Sequence, residues 1–305
     1  MNTLLYVTWN VNPTLFTVFG REIRWYGLLW VIGLIVAVYI VQQIFKRENL
    51  PEKWFDSLFI YTIIGIIVGA RLGHCLFYEP QYYLSHPVEI LKIWKGGLAS
   101  HGGVLGIIIA VWLYSKRVTK LSMLWTFDRL MVPTGFTAAM IRLGNLMNHE
   151  IYGGPTDLPW GFRFITNTYA WMNGAEPVYS EPSHPTQIYE ALIYLVVFGV
   201  CMYMYYKTDA KDRKGLITGV GLTIIFVARF FIEYIKNVQV DFEIMLRDHT
   251  GLILGQWLSL PFIIWGIALI VSALRKKPEP ANIPQASAAN RAKNNGKKEY
   301  QKKKK

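Results

Sequence analysis

Long apolar runs, broken by short polar stretches, dominate the chain. Seven of them fall at residues 25–45, 55–78, 98–115, 123–147, 185–206, 216–236 and 251–274. At about 1.5 Å per helical residue, such runs can cross about 30 Å of hydrocarbon. The pattern predicts an all-α integral membrane protein with seven transmembrane helices. The third run is short and opens on glycines, so a re-entrant start is expected there.

The polar stretches between the runs set the expected orientation. Lys46, Arg47 and Lys53 lie in the first connection, Lys116, Arg117 and Lys120 in the third, and Lys207, Lys211, Arg213 and Lys214 in the fifth. The even connections hold fewer basic residues. The positive-inside rule therefore puts the odd connections and the C-terminus in the cytoplasm and the N-terminus outside. The longest connection, 148–184, carries the turn signals Gly153-Gly154, Trp160-Gly161, Asn173-Gly174 and Glu181-Pro182. A small outward-facing head of short strands and turns is expected there, between spans four and five. Residues 1–24 and 80–95 carry Trp9, Tyr82, Tyr83 and Trp94, which suit the membrane interface. The expected organisation is one membrane domain over 1–274, followed by a basic cytoplasmic tail over 275–305. That tail is rich in Pro, Ala, Asn and Lys and is expected to be disordered.

Composition fits this class: 52% of the 305 residues are hydrophobic, too many for an ordinary soluble domain. Much of the net charge of +12 sits in the tail, which suits a lipid-facing cytoplasmic segment better than a nucleic-acid-binding module. Cys75 and Cys201 lie in apolar runs and read as core residues. Neither the His-Glu-x-x-His of a zinc hydrolase nor the Gly-x-Ser-x-Gly of a serine hydrolase occurs. No metal and no cofactor is expected.

The polar residues that do interrupt the runs gather at their outer ends. They are Arg71 and His74, His101, Arg142 with Asn145, Asn148 and Glu150, His184 with Gln187, Tyr189 and Glu190, Arg229 and Glu233, and Gln256 with Ser259. Ionisable groups are costly at membrane depth and mark a cavity or site, so this convergence predicts a single polar cavity. Arg142 and Arg229 point to an anionic ligand, because guanidinium forks match phosphate oxygens. At an outer leaflet that phosphate is most simply a phospholipid head group. Arg229 and Glu233 are four apart, so they can also pair with each other. His101, before Gly102-Gly103, suits either a general base or a packed histidine. Tyr26 suits either a belt tyrosine or a donor to a head group. Asp128 and Arg129 suit an intramembrane pair. An anion transporter is disfavoured by the one-sided cluster and a scaffold by the convergent arginines; a phospholipid hydrolase is the nearest chemical rival.

The residues resemble one family in particular. Arg142-Leu143-Gly144-Asn145, followed by Asn148-His149-Glu150 and Gly153, is similar to the signature of bacterial prolipoprotein diacylglyceryl transferases. The blocks Arg24–Gly27, Gly69–Gly73, Ser100–Gly103, His184–Glu190, Arg229–Glu233 and Gly255–Pro261 are similar to family blocks in the same order. The resemblance runs from about Arg24 to Leu274. It implies transfer of the diacylglyceryl group of phosphatidylglycerol to the lipobox cysteine of a prolipoprotein signal peptide, at the bacterial cytoplasmic (inner) membrane. It implies catalytic roles for His101, Arg142, Arg229 and Glu150, and substrate-binding roles for Tyr26, Arg142, Asn145, Gly153, Arg229 and Glu233. Three positions depart from the family pattern: Ile225 where some members have tyrosine, Ser183 where many have arginine, and Leu254 where methionine is frequent.

Overall fold

The computed structural model describes residues 6–236, 246, 248–281 and 283. Beyond residue 283 the expected tail lies outside the described residues. Two compact units divide the chain, Met1–Ile40 with Leu130–Pro278 and Val41–Arg129 with Glu279–Lys305. Among the described residues, six helices are long and apolar enough to cross a membrane. The long helix over the fourth run, α6 (Met123–Met147), is not one of the six; Asp128, Arg129 and Arg142 dilute its apolar character. Exposed side chains on the other helices are largely aliphatic, as at Ile35, Ile64 and Ile264, which suits lipid as the surrounding solvent.

The first unit holds the start of α1 (Trp25–Arg47), most of α6, α8 (Thr186–Lys207), α9 (Leu216–Ile232) and α10 (Leu254–Leu274). Lipid gives helices no hydrophobic reason to associate, so close approach at small residues supplies the packing. A methyl group at Gly135 would lie 2.4 Å from the Tyr194 carbonyl oxygen, and one at Gly219 2.8 Å from that of Gly266. Thr137 Oγ1 donates to the Gly33 carbonyl at 3.0 Å, joining α6 to α1.

At the end of this unit where α6 and α9 finish, short strands replace helices. β1 (Tyr6–Thr8) pairs in parallel with β4 (Gly161–Arg163). β2 (Thr14–Val18) and β3 (Arg21–Arg24) form an antiparallel hairpin. Its two turn residues, Phe19 and Gly20, both have positive φ (48° and 74°), the backbone that matches strand twist in a two-residue hairpin. The segment between α6 and α8 is built of β4, the short helix α7 (Thr168–Met172) and isolated bridges. His149 is its buried centre. Nδ1 accepts from the Ile165 amide at 3.1 Å and Nε2 donates to the Val11 carbonyl at 2.8 Å. One donor and one acceptor is the demand of a neutral imidazole. Burial accordingly holds the His149 pKa below the ordinary imidazole value.

The second unit holds the end of α1, α2 (Glu52–Phe77), α3 (Pro80–Ser85), α4 (Pro87–Ile90) and α5 (Ser100–Tyr114), which runs on into a single π turn, Ser115–Thr119. Gly65, Gly69 and Gly73 recur every four residues on α2 and meet Gly102 and Gly106 of α5. A methyl group at Gly69 would lie 2.4 Å from the Gly102 carbonyl oxygen, so the helices touch backbone to backbone. α5 is continuous from Ser100; the glycines that suggested a re-entrant start instead make this contact. Arg129 donates to Glu48 at 3.0 Å and stacks on Trp125, with the guanidinium 4.2 Å from the ring centroid. Glu48, 81 residues away, is thus an ion partner of Arg129 that the sequence expectation of an Asp128–Arg129 pair did not include.

Candidate active site

The polar site of the first unit is assembled from helix ends. α6 and α9 finish there, and α1, α8 and α10 begin there, so residues far apart in sequence share one level. Arg142 lies five residues before the end of α6, with its side chain 15% exposed. Its Nε sits 2.9 Å from Glu190 Oε2 and its Nη1 donates to Asn145 Oδ1 at 3.3 Å. The Tyr194 hydroxyl, one turn after Glu190 on α8, also accepts from Arg142. Asn145 passes the link on: its Nδ2 donates to Glu150 Oε1 at 2.9 Å, and Asn148 donates to the same oxygen at 3.1 Å. Gln187 of α8 donates to the Glu150 carbonyl at 2.7 Å, fastening the turn after α6.

A second arm comes from α9. Arg229 Nη2 lies 3.4 Å from Glu233 Oε1, one helical turn later. This pair is the alternative left open in the sequence, and it forms. Lys236 joins the two arms, with Nζ 3.0 Å from Glu190 Oε1 and 3.3 Å from Glu233 Oε1. The connected ladder is Arg142, Glu190, Lys236, Glu233 and Arg229. Both carboxylates are buried, where an ionised group must be paired.

Glycines admit the parts that crowd this level. A methyl group at Gly144 would lie 2.7 Å from the Tyr26 ring, so the tyrosine packs directly on α6. Tyr26 is also within electrostatic reach of Glu150 and Arg142. At Gly153 a methyl group would lie 2.5 Å from the Ile235 carbonyl oxygen, and at Gly255 2.6 Å from the Glu233 carboxyl carbon. Gly153 and Gly154 tie the turn to α8 and to the end of α9: Gly153 N–H donates to His184 O and Gly154 N–H to Ile235 O, both at 2.8 Å.

The arrangement offers two guanidinium groups held by buried carboxylates beside amide and phenol donors, the donor set that suits a phosphate ester. Residues 13–272 match the profile described as prolipoprotein diacylglyceryl transferase. The chain belongs to the prolipoprotein diacylglyceryl transferase family. It is 56% identical over 273 residues to the phosphatidylglycerol–prolipoprotein diacylglyceryl transferase of Porphyromonas gingivalis, covering 88% of this chain and 95% of that one. Enzymes of the same name from Bacteroides fragilis and Chloroherpeton thalassium are 45% and 43% identical, each over 90% of this chain and 98% and 97% of their own.

Of the residues singled out by the family resemblance, Tyr26, Arg142, Asn145, Glu150, Gly153, Arg229 and Glu233 lie in this one unit. His101 lies in the other, exposed, with its ring against Phe77 and Tyr78 at centroid distances of 5.5 and 5.8 Å. Arg71, counted among the converging polar residues, points elsewhere: it donates to the carbonyls of Glu89, Ile90, Gly96 and Gly97. Gln256 caps its own helix at the Ile253 amide and donates to the Phe230 carbonyl. Two partners carry no assigned role in the sequence: Glu190 of α8, and Lys236, where the sixth apolar run ends. Helical spacing carries the signal for Lys236, since Arg229, Glu233 and Lys236 recur at four and three residues.

Proposed function

We propose that this chain transfers the diacylglyceryl group of phosphatidylglycerol to the lipobox cysteine of prolipoproteins. Its named relatives carry that activity in their names. The observation that carries the reading for this chain is the pair of arginines, Arg142 and Arg229, held by Glu190 and Glu233 at one level of the fold. In the reaction the cysteine sulfur attacks the diacylglyceryl carbon that bears the phosphate ester. A C–S thioether bond forms, the C–O bond breaks, and glycerol phosphate leaves with the bonding pair. The thiol proton must go to a base, because a thiol of pKa near 8.5 is mostly protonated at neutral pH.

Arg142 and Arg229 hold the phosphate and stabilise the charge that grows on the departing oxygen. Asn145 and Glu150 orient Arg142 and the glycerol head, Tyr26 donates to the head group, and Gly153 keeps the close approach of the turn. Glu233 orients Arg229. His101 takes the thiol proton; its support is the Ser100–Gly103 block and the fitness of an imidazole as a general base. The supporting membrane arrangement has seven spans, α6 included, in the cytoplasmic membrane. The N-terminus and the 148–184 head lie outside and the basic tail in the cytoplasm.

The test is a purified-chain assay with a lipobox peptide in vesicles of phosphatidylglycerol. Lipidated peptide and free glycerol phosphate in equal amounts are expected. Free diacylglycerol with unmodified peptide would show a phospholipid hydrolase instead.

A further inference from the structure

Lys236 stands outside every role assigned above, yet it is the point where the two arginine arms meet. Its side chain is 9% exposed. Its ammonium takes Oε1 of Glu190 and leaves Oε2 of the same carboxylate to Arg142 Nε. On the other arm it shares Oε1 of Glu233 with Arg229. The backbone at Lys236 is fixed as well. Lys236 bridges antiparallel to Gly153, and the preceding Ile235 carbonyl accepts from Gly154. The ammonium therefore has little freedom to follow either carboxylate alone.

We propose that Lys236 is a positioning residue that sets the separation and aim of Arg142 and Arg229 by bridging the carboxylates that hold them. This rests on the phosphate-binding reading of those arginines. Without the ammonium, two buried carboxylates share one space with no cation between them, and like charges at that range repel strongly. Each carboxylate then turns toward its own arginine, and the two guanidinium forks no longer match a single phosphate. The penalty falls on the lipid and not on the peptide, since Lys236 reaches the substrates only through the phosphate-holding pair.

The experiment uses the full chain in mixed vesicles with a lipobox peptide, varying the phosphatidylglycerol fraction and the peptide separately. Lys236→Met is expected to raise the KM for phosphatidylglycerol about tenfold or more, with the KM for peptide within twofold of wild type. Lys236→Arg, which keeps a cation with reach to both carboxylates, is expected to restore the lipid KM to within about threefold. Overturning results are an unchanged lipid KM in Lys236→Met, equal rises in both KM values, or no recovery in Lys236→Arg. Should Lys236→Met fail to fold, Lys236→Gln is measured the same way; if it too fails to fold, the lysine is architectural and the proposal falls. A wild-type chain that lipidates no peptide overturns the functional reading itself, a result distinct from all of these.

Discussion

Arg71 and Arg142 look alike in sequence: each is a guanidinium near the C-terminal end of a long apolar run. The structure gives them opposite employment. Arg71 is 3% exposed and spends its donors on four backbone carbonyls, two of them from the glycines before α5. It works as a fastener, satisfying the backbone of a short irregular segment that lipid could not satisfy. Arg142 meets a carboxylate, an amide and a phenol, all side chains, and it is joined through them to a second arginine. A cation held by backbone is committed to architecture. A cation held by other ionisable side chains belongs to a network whose charge can be shared with a ligand. Partner type, more than burial, separates the two.

The sharpest way to break that contrast is to remove each arginine in turn. Arg142→Ala should lower kcat for peptide lipidation by about 10²–10³-fold, the scale of a lost preorganised donor. A turnover within threefold of wild type would sink the phosphate-holding role. Arg71→Ala should do the reverse. It should cost on the order of 3 kcal/mol of stability, read as a lower Tm and yield, because several charge-assisted bonds to part-buried carbonyls vanish together. Turnover per folded molecule should stay within about twofold. An Arg71→Ala chain of normal Tm and lost turnover would erase the distinction.

Two glycines extend the same comparison at smaller scale. Gly69→Ala pushes a methyl group into the Gly102 backbone, which cannot yield, and should cost about 1–3 kcal/mol as overpacking. Gly144→Ala meets the Tyr26 ring instead. The Tyr26 Cα stands 3.2 Å away as well, so Tm should also fall, but turnover per folded molecule should fall in this variant and hold in Gly69→Ala. The smallest effect concerns His149, whose folded pKa is depressed by burial. Below about pH 6.5 the unfolded imidazole takes up a proton that the folded one refuses. Its contribution to stability is therefore present above that value and lost as pH falls through it toward the folded pKa. The drop in Tm between pH 7.5 and 5.5 should be smaller in His149→Gln than in wild type.

Much of the fold is legible without coordinates, because hydropathy is a local quantity that each run carries by itself. Residues 123–147 are helical to the residue, and the other runs are displaced by a few positions at most. The Arg229–Glu233 pair is legible for the same reason, since four residues along a helix are neighbours by geometry. The Glu190 partner of Arg142 is not, for the two are 48 positions apart on different helices. Nor is the Arg129–Glu48 pair, for the two are 81 positions apart in the chain.

The sequence by itself determined that this chain carries several membrane-length helices and which family blocks its polar residues spell. Tertiary structure alone decided which charges meet. It sent Arg71 to a backbone segment, set Glu190 against Arg142, and put Lys236 between two carboxylates from different helices. The physical reason is range. Apolar periodicity and i,i+4 neighbours act within a few residues. The partner of a buried charge is chosen by helix order and by the small residues that let backbones close on one another.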